Sequence, residues 1–195
     1  MIKNPASEAN SDQLTPPQSN VSPGGGWAVQ LLTTDYVASG YLKAIDMPLA
    51  GWLNVPTQNS LSIYQVQTQV LNWQSFAVRG TVPELVVPRS AVVALIPRDE
   101  ASLRSMASTL PPHPERPMLF YTGTYLIRAL VHIPGEVTIS VLFGAGTGDM
   151  FVVTNAEVHY RRLSAPSSGS VASAMLPAPI MALNKAHIQL YHAGV

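Results

Sequence analysis

From Trp27 onward the apolar residues fall into short runs rich in Val, Ile, Tyr and Leu, broken by Gly, Pro and Asn. "VQLLTTDYVASGYLKAI", "SLSIYQVQTQVLNW" and "ELVVPRSAVVALIP" predict strands, as do "MLFYTGTYLIRALVHI", "DMFVVTNAEVHYRRL" and "PIMALNKAHIQLYH". Only "RDEASLRSMASTL", Arg98 to Leu110, predicts a helix. Asp99 and Glu100 suit the positive end of its dipole, and "PPHPERP" stops it. Ahead of the first run, residues 1–22 are polar and rich in Pro, Ser and Asn, and Pro23 to Gly26 close that stretch. A flexible, protease-sensitive tail is expected there.

Three strand-like runs, a linker and three more runs predict a duplication. Tyr36–Leu42 lies over Tyr125–Val131 at an offset of 89 (125 − 36), and after one inserted residue Leu49–Asn54 lies over Ile139–Gly144. Leu61, Ile63 and Val66 then match Phe151, Val153 and Ala156. Pro83, Val87, Arg89 and Val92 match Pro179, Leu183, Lys185 and Ile188 at an offset of 96 (179 − 83). The six extra residues fit in "SAPSSGSVASAMLPAP". The expected organisation is a tail over 1–26, a first repeat over 27–97, a helix-bearing linker over 98–118 and a second repeat over 119–195. The fold class is mainly β: two tandem small antiparallel sheets or partly open barrels, each near the lower size limit for independent stability.

Charge changes the picture. Charged residues are only 11% of the 195, against about 25% in a typical soluble domain, and 11 basic side chains cancel 11 acidic ones. A neutral, charge-poor surface is poorly protected against self-association, so the expected partner is another copy of the chain, or another protein. Nucleic acid is disfavoured, because that affinity rests on Lys and Arg neutralising phosphates. The absence of cysteine excludes disulfides, thiolate metal sites and thiol catalysis. The N-terminal stretch lacks a signal-type apolar core, and the late uncharged run is interrupted by Pro166, Pro177 and Pro179. No membrane span and a cytoplasmic location are expected.

Candidate chemistry is thin. "FGAGTGDMFVV", Phe143 to Val153, has three glycines, but a dinucleotide loop needs a helix after them and a β-branched run follows instead. A turn between two strands is expected. Five histidines show no metal-ligand spacing, and His187 and His192 are expected on opposite faces of one strand. No serine sits on a nucleophile elbow. Asp149 and Glu157 are eight residues apart on one strand, roughly 26 Å at strand rise, too far for paired acid–base work. Neither an enzyme nor a cofactor is expected. Each repeat does place one cation just before its last strand, Arg89 and Lys185. With Asn184 and Arg128 these are the candidate anion- or partner-binding residues.

"DMFVVTNAEVHY" and "ALNKAHIQLY" resemble the later strands of the Sm-like small barrel, the fold of Sm, LSm and Hfq proteins. Tyr125, Leu126, Ile139, Ser140, Phe151, Thr154, Asn155, Ala156, Val158, Leu183, Asn184, Lys185 and Ile188 also follow the pattern of a group of uncharacterised bacterial proteins. The Sm resemblance implies RNA contacts near Asp149–Phe151 and Asn184–Lys185, and assembly through sheet edges. The final strands, Val92–Ile96 and Ile188–His192, lack the Lys, Glu and Pro that protect an edge, so pairing with a neighbour is expected, with the Gln189 amide as a donor. The expected function is a non-enzymatic scaffold that closes a ring or extends a filament. The alternative is an Sm-like RNA- or anion-binding module.

Overall fold

The structure, a computed structural model, describes residues 25–71, 80–135, 138–144, 148–163 and 171–194. The expected tail lies almost wholly outside these residues. The first half begins with a hairpin of β1 (Trp27–Thr33) and β2 (Tyr36–Leu42), followed by helix α1 (Leu49–Leu53). Strands β3 (Ser60–Val70) and β4 (Gly80–Pro88) come next, and a single 3-10 turn, Arg89–Ala91, leads into β5 (Val92–Pro97). Helix α2 (Glu100–Ala107) separates the halves. The second half runs β6 (Glu115–Tyr121), β7 (Tyr125–His132), α3 (Ile139–Gly144), β8 (Met150–Leu163) and β9 (Val171–Asn184). A 3-10 turn over Lys185–His187 and β10 (Leu190–Ala193) complete it.

All strand pairings are antiparallel, in one open sheet of order β10-β6-β7-β8-β9-β5-β1-β2-β3-β4. Within each half the strands therefore stand fifth, first, second, third, fourth. The registers repeat as well. Trp27↔Leu42 has Arg116↔Val131 as its counterpart, and Ser60↔Pro88 has Met150↔Asn184. Val29↔Pro97 has Met118↔Ala193. Even the irregularity recurs. Gln65 and Asn155, at matching positions of β3 and β8, both take left-handed backbone (φ 52° and 47°), beside register shifts at Ser39/Tyr41 and Arg128/Leu130. Such a bulge bends the strand and lets the sheet curl over its core.

Several expectations need correction. The halves, expected as two small sheets or partly open barrels joined by a helix-bearing linker, form one open sheet instead: β5 and β9 pair directly, and the sheet runs through both. The six strand-like runs become ten strands, because four of them contain a turn. Leu49–Leu53 and Ile139–Gly144 are helical, so α2 is not the only helix. The linker ends earlier than residue 118, since β6 begins at Glu115. From Val171 the Ser/Ala/Pro stretch is strand, and the second hairpin ladder continues from His159↔Met175 to Leu163↔Val171, past the level of Thr68↔Gly80, the last described pair of the first. His187 lies in a 3-10 turn and His192 in β10, so they do not share a strand.

Two apolar clusters fill the space beneath the sheet, and each borrows from the other half. The second-half cluster, around Phe120, Ile127 and Val158, takes in Val93, Ala94 and Ile96 of β5. The first-half cluster, around Leu31, Leu42 and Ile63, takes in Ile180 and Ala182 of β9 and Met106 of α2. Both faces of β5 are consequently buried along its whole length. Helix α2 starts on a capping box between Asp99 and Ser102, and Asp99 also accepts from the Ala28 amide, which fixes the helix against β1. Among the described residues no helix is long and apolar enough to cross a membrane.

Candidate functional site

Three of the four singled-out residues belong to one place, the junction between the halves. Arg89, at the turn before β5, donates from Nη1 to the carbonyls of Leu53 (3.3 Å) and Val55 (2.9 Å). Its Nη2 donates to Asp149 Oδ2 at 2.9 Å, an ion pair from the first half to the second. Lys185 donates its backbone amide to the Asp149 carbonyl at 2.8 Å. Partial burial lowers the Lys185 ammonium pKa, and the Asp149 charge acts in the opposite direction. Asn184 is buried. Its Nδ2 donates to the Val92 carbonyl at 2.9 Å and its Oδ1 accepts from the Ala186 amide at 3.0 Å, closing the turn and binding it to β5. Arg128 is elsewhere: it faces solvent on β7, opposite Glu157 and about eight strand residues from Asp149.

The junction uses further residues that pattern reading did not single out. Asn54, just past α1, clamps the start of β8: its Nδ2 donates to the Met150 carbonyl (2.8 Å), and its Oδ1 accepts from the Met150 amide (2.9 Å). This explains one of the glycines. Gly148 has φ +85°, and a Cβ there would run into the Asn54 amide. The backbone comes close to a side chain, not to a phosphate. The element order around the glycines also differs from expectation, with helix α3 before them and strand β8 after, while residues 145–147 lie outside the described residues. That is the reverse of a dinucleotide loop.

Tyr125, at the start of β7, donates its buried hydroxyl to the Thr33 carbonyl at the β1–β2 turn (2.6 Å). Burial, then the neighbouring charges of Tyr160 and Asp35, push its pKa far above the ordinary tyrosine value. The signal for this contact was present in the sequence, as a Thr-x-x-Tyr turn in both repeats.

The other side of the site is what the junction leaves open. Strands β4 and β10 are the two edges of the sheet. The Arg89 amide donates to the Asn59 carbonyl, so by antiparallel alternation Val87 and Leu85 turn their amides into β3, and Val86 and Glu84 turn theirs outward. On β10 the Gly194 amide donates to the Pro117 carbonyl, which leaves Tyr191 and Ala193 outward. Gln189, expected as an outward donor, instead donates to the Tyr121 carbonyl in the same chain at 2.9 Å. Beside the β4 edge lies a mostly apolar cleft of about 420 Å³, lined by Gly26, Tyr41, Leu42, Lys43, Tyr64, Gln65 and Pro83. Its ionisable lining is one ammonium, Lys43, and two phenols, Tyr41 and Tyr64. Among the described residues no group of His, Asp or Glu is placed to hold a metal. Comparison of the chain with known protein families, with characterised proteins and with solved structures gives no match.

Proposed function

We propose that the chain is a non-enzymatic structural protein, built of two Sm-like units, that self-assembles head to tail through its free sheet edges into a ring or filament. The observation that carries this is a comparison of matched positions. Inside the chain, the fifth strand of one half pairs with the fourth strand of the other as Ala94↔Leu183 and Leu95↔Ala182. Shifting both strands by 96 residues gives Leu190↔Val87 and Tyr191↔Val86, between β10 of one copy and β4 of the next. Ala94 and Ala182 are 0% exposed, each sunk in the other half's core. Their counterparts Leu190 and Val86 are 58% and 57% exposed, among the barest large apolar side chains described. Both lie where a second copy would cover them, and unpaired edges of this kind recruit further strands.

Each half also keeps the features that suggest an Sm-like unit: a second strand bent at its register shift, and a short polar turn before the last strand. The RNA-binding alternative loses donors, since Arg89 and Asn184 are engaged inside the chain. Light scattering coupled to size-exclusion chromatography tests the proposal. Wild-type protein is expected to run as a multimer whose mass rises with concentration. Val86→Pro removes an outward amide at an edge, where proline is tolerated, so it should give a folded monomer. A wild-type monomer at every concentration, or a Val86→Pro protein that still assembles, overturns the reading.

A further inference from the structure

The turn between the first two strands is built alike in both halves. Thr33 Oγ1 donates to the Tyr36 carbonyl (2.8 Å) and accepts from the Tyr36 amide (3.0 Å). Thr122 does the same with Tyr125, at 3.2 and 2.9 Å. Both tyrosines thereby enter a second strand from the same backbone turn. Among the described residues only one of them has its receptor, for the Tyr125 hydroxyl reaches the Thr33 carbonyl of the first half. In that contact the half offering its fourth strand supplies the tyrosine, and the half offering its fifth strand supplies the threonine carbonyl.

From this geometry we infer that Tyr36 is an intermolecular latch: its hydroxyl donates to the Thr122 carbonyl of the preceding copy when β4 docks on β10. This rests on the head-to-tail reading above and adds a determinant of register and polarity to it. The assignment of partners follows from position alone. A copy offering β4 brings Tyr36, and a copy offering β10 brings Thr122, so the latch cannot form head to head. The other junction contacts are not copied. Asn54 is matched by Gly144, Asn184 by Pro88 and Asp149 by Asn59, none of which can reproduce the clamp, the turn bond or the ion pair. The tyrosine is a polar contact whose donor and acceptor are both kept at the outer joint, beyond the strand ladder itself.

Tyr36→Phe keeps the ring that packs on the first-half core and deletes only the hydroxyl. Its assembly, followed by light scattering over a concentration series, should be about tenfold weaker than wild type, with thermal unfolding of the monomer unchanged. Tyr125→Phe is the opposite control, lowering the unfolding temperature through the inner joint. A second measurement needs no deletion, because the chain has no cysteine. Gly123→Cys protein mixed with Asp35→Cys protein should form a disulfide heterodimer in preference to either homodimer, since Thr34 and Thr124 already meet at the inner joint. Wild type that never assembles sinks the head-to-tail reading. Wild type that assembles while Tyr36→Phe matches it sinks the latch alone, and heterodimers no more frequent than homodimers sink the head-to-tail polarity together with it.

Discussion

Single residues decide how the two halves hold together. Asn54→Ala orphans the amide and carbonyl of Met150, and an unpaired buried polar group costs about 1–3 kcal/mol. Gly148→Ala should destabilise as well, from its left-handed backbone and from the collision with Asn54. Because the second cost needs the first side chain, the double variant should lose less than the two losses added, which chemical denaturation of all four proteins measures. Tyr125 carries a pH dependence. Its folded pKa is raised above the ordinary 10.0, so below pH 10 both states keep the proton and the full stability is present. Above that the unfolded chain ionises while folded Tyr125 cannot, and stability falls as pH rises. Urea midpoints between pH 8 and 11 should show the decline, and Tyr125→Phe should flatten it. At this scale the sequence was only partly informative. Arg89, Asn184 and Lys185 stood out by repeating or by polarity, but the use of Arg89 and Asn184 in joining the halves is a matter of distance, which spacing along the chain does not encode.

Elements were more legible where their chemistry is local. The β-branched runs and their turn residues marked where strands lie, and Asp99 with its early charge marked α2. Helices α1 and α3 escaped because five or six residues, as in Leu49–Leu53 with Gly51 in the middle, are too few to display a period. They exist by packing, with Leu49 and Leu53 wholly buried under the first-half sheet. The bend of β2 makes a sharper test. A Cβ on Gly40 would stand 2.6 Å from the Tyr64 carbonyl oxygen and 2.7 Å from Ile63 Cγ2, so the neighbouring strand would have to move. Gly40→Ala should therefore lower stability by about 1–3 kcal/mol, read as a shifted denaturation midpoint. The matched position in β7 is Ala129, so the same substitution is already accommodated there, and Ala129→Gly should cost no more than a fraction of that.

For the whole molecule, the ladder between β5 and β9 and the exchange of core residues across it predict that the α2 linker is dispensable as a tether. A protease site placed between residues 108 and 114, once cut, should leave two fragments that co-elute under native conditions and separate only in denaturant. Fragments that part without denaturant would mean that the covalent link, not the shared sheet, unites the halves. The duplication was visible in advance as offsets of 89, 90 and 96, and the registers follow those offsets. What no pattern could give was the fusion of the repeats into one sheet. A strand edge looks the same in sequence whether it meets solvent, its own chain or another.

The two open edges differ in kind: nine residues of β4 at one end of the strand order, four of β10 at the other. In the proposed assembly this makes growth vectorial. The two ends of an open chain of copies present different strands, so they gain and lose subunits at different rates, and a peptide copying one edge poisons a single end. Closure carries an arithmetic constraint too, since every ring then holds an even number of repeat units, with strong and weak joints alternating around its circumference.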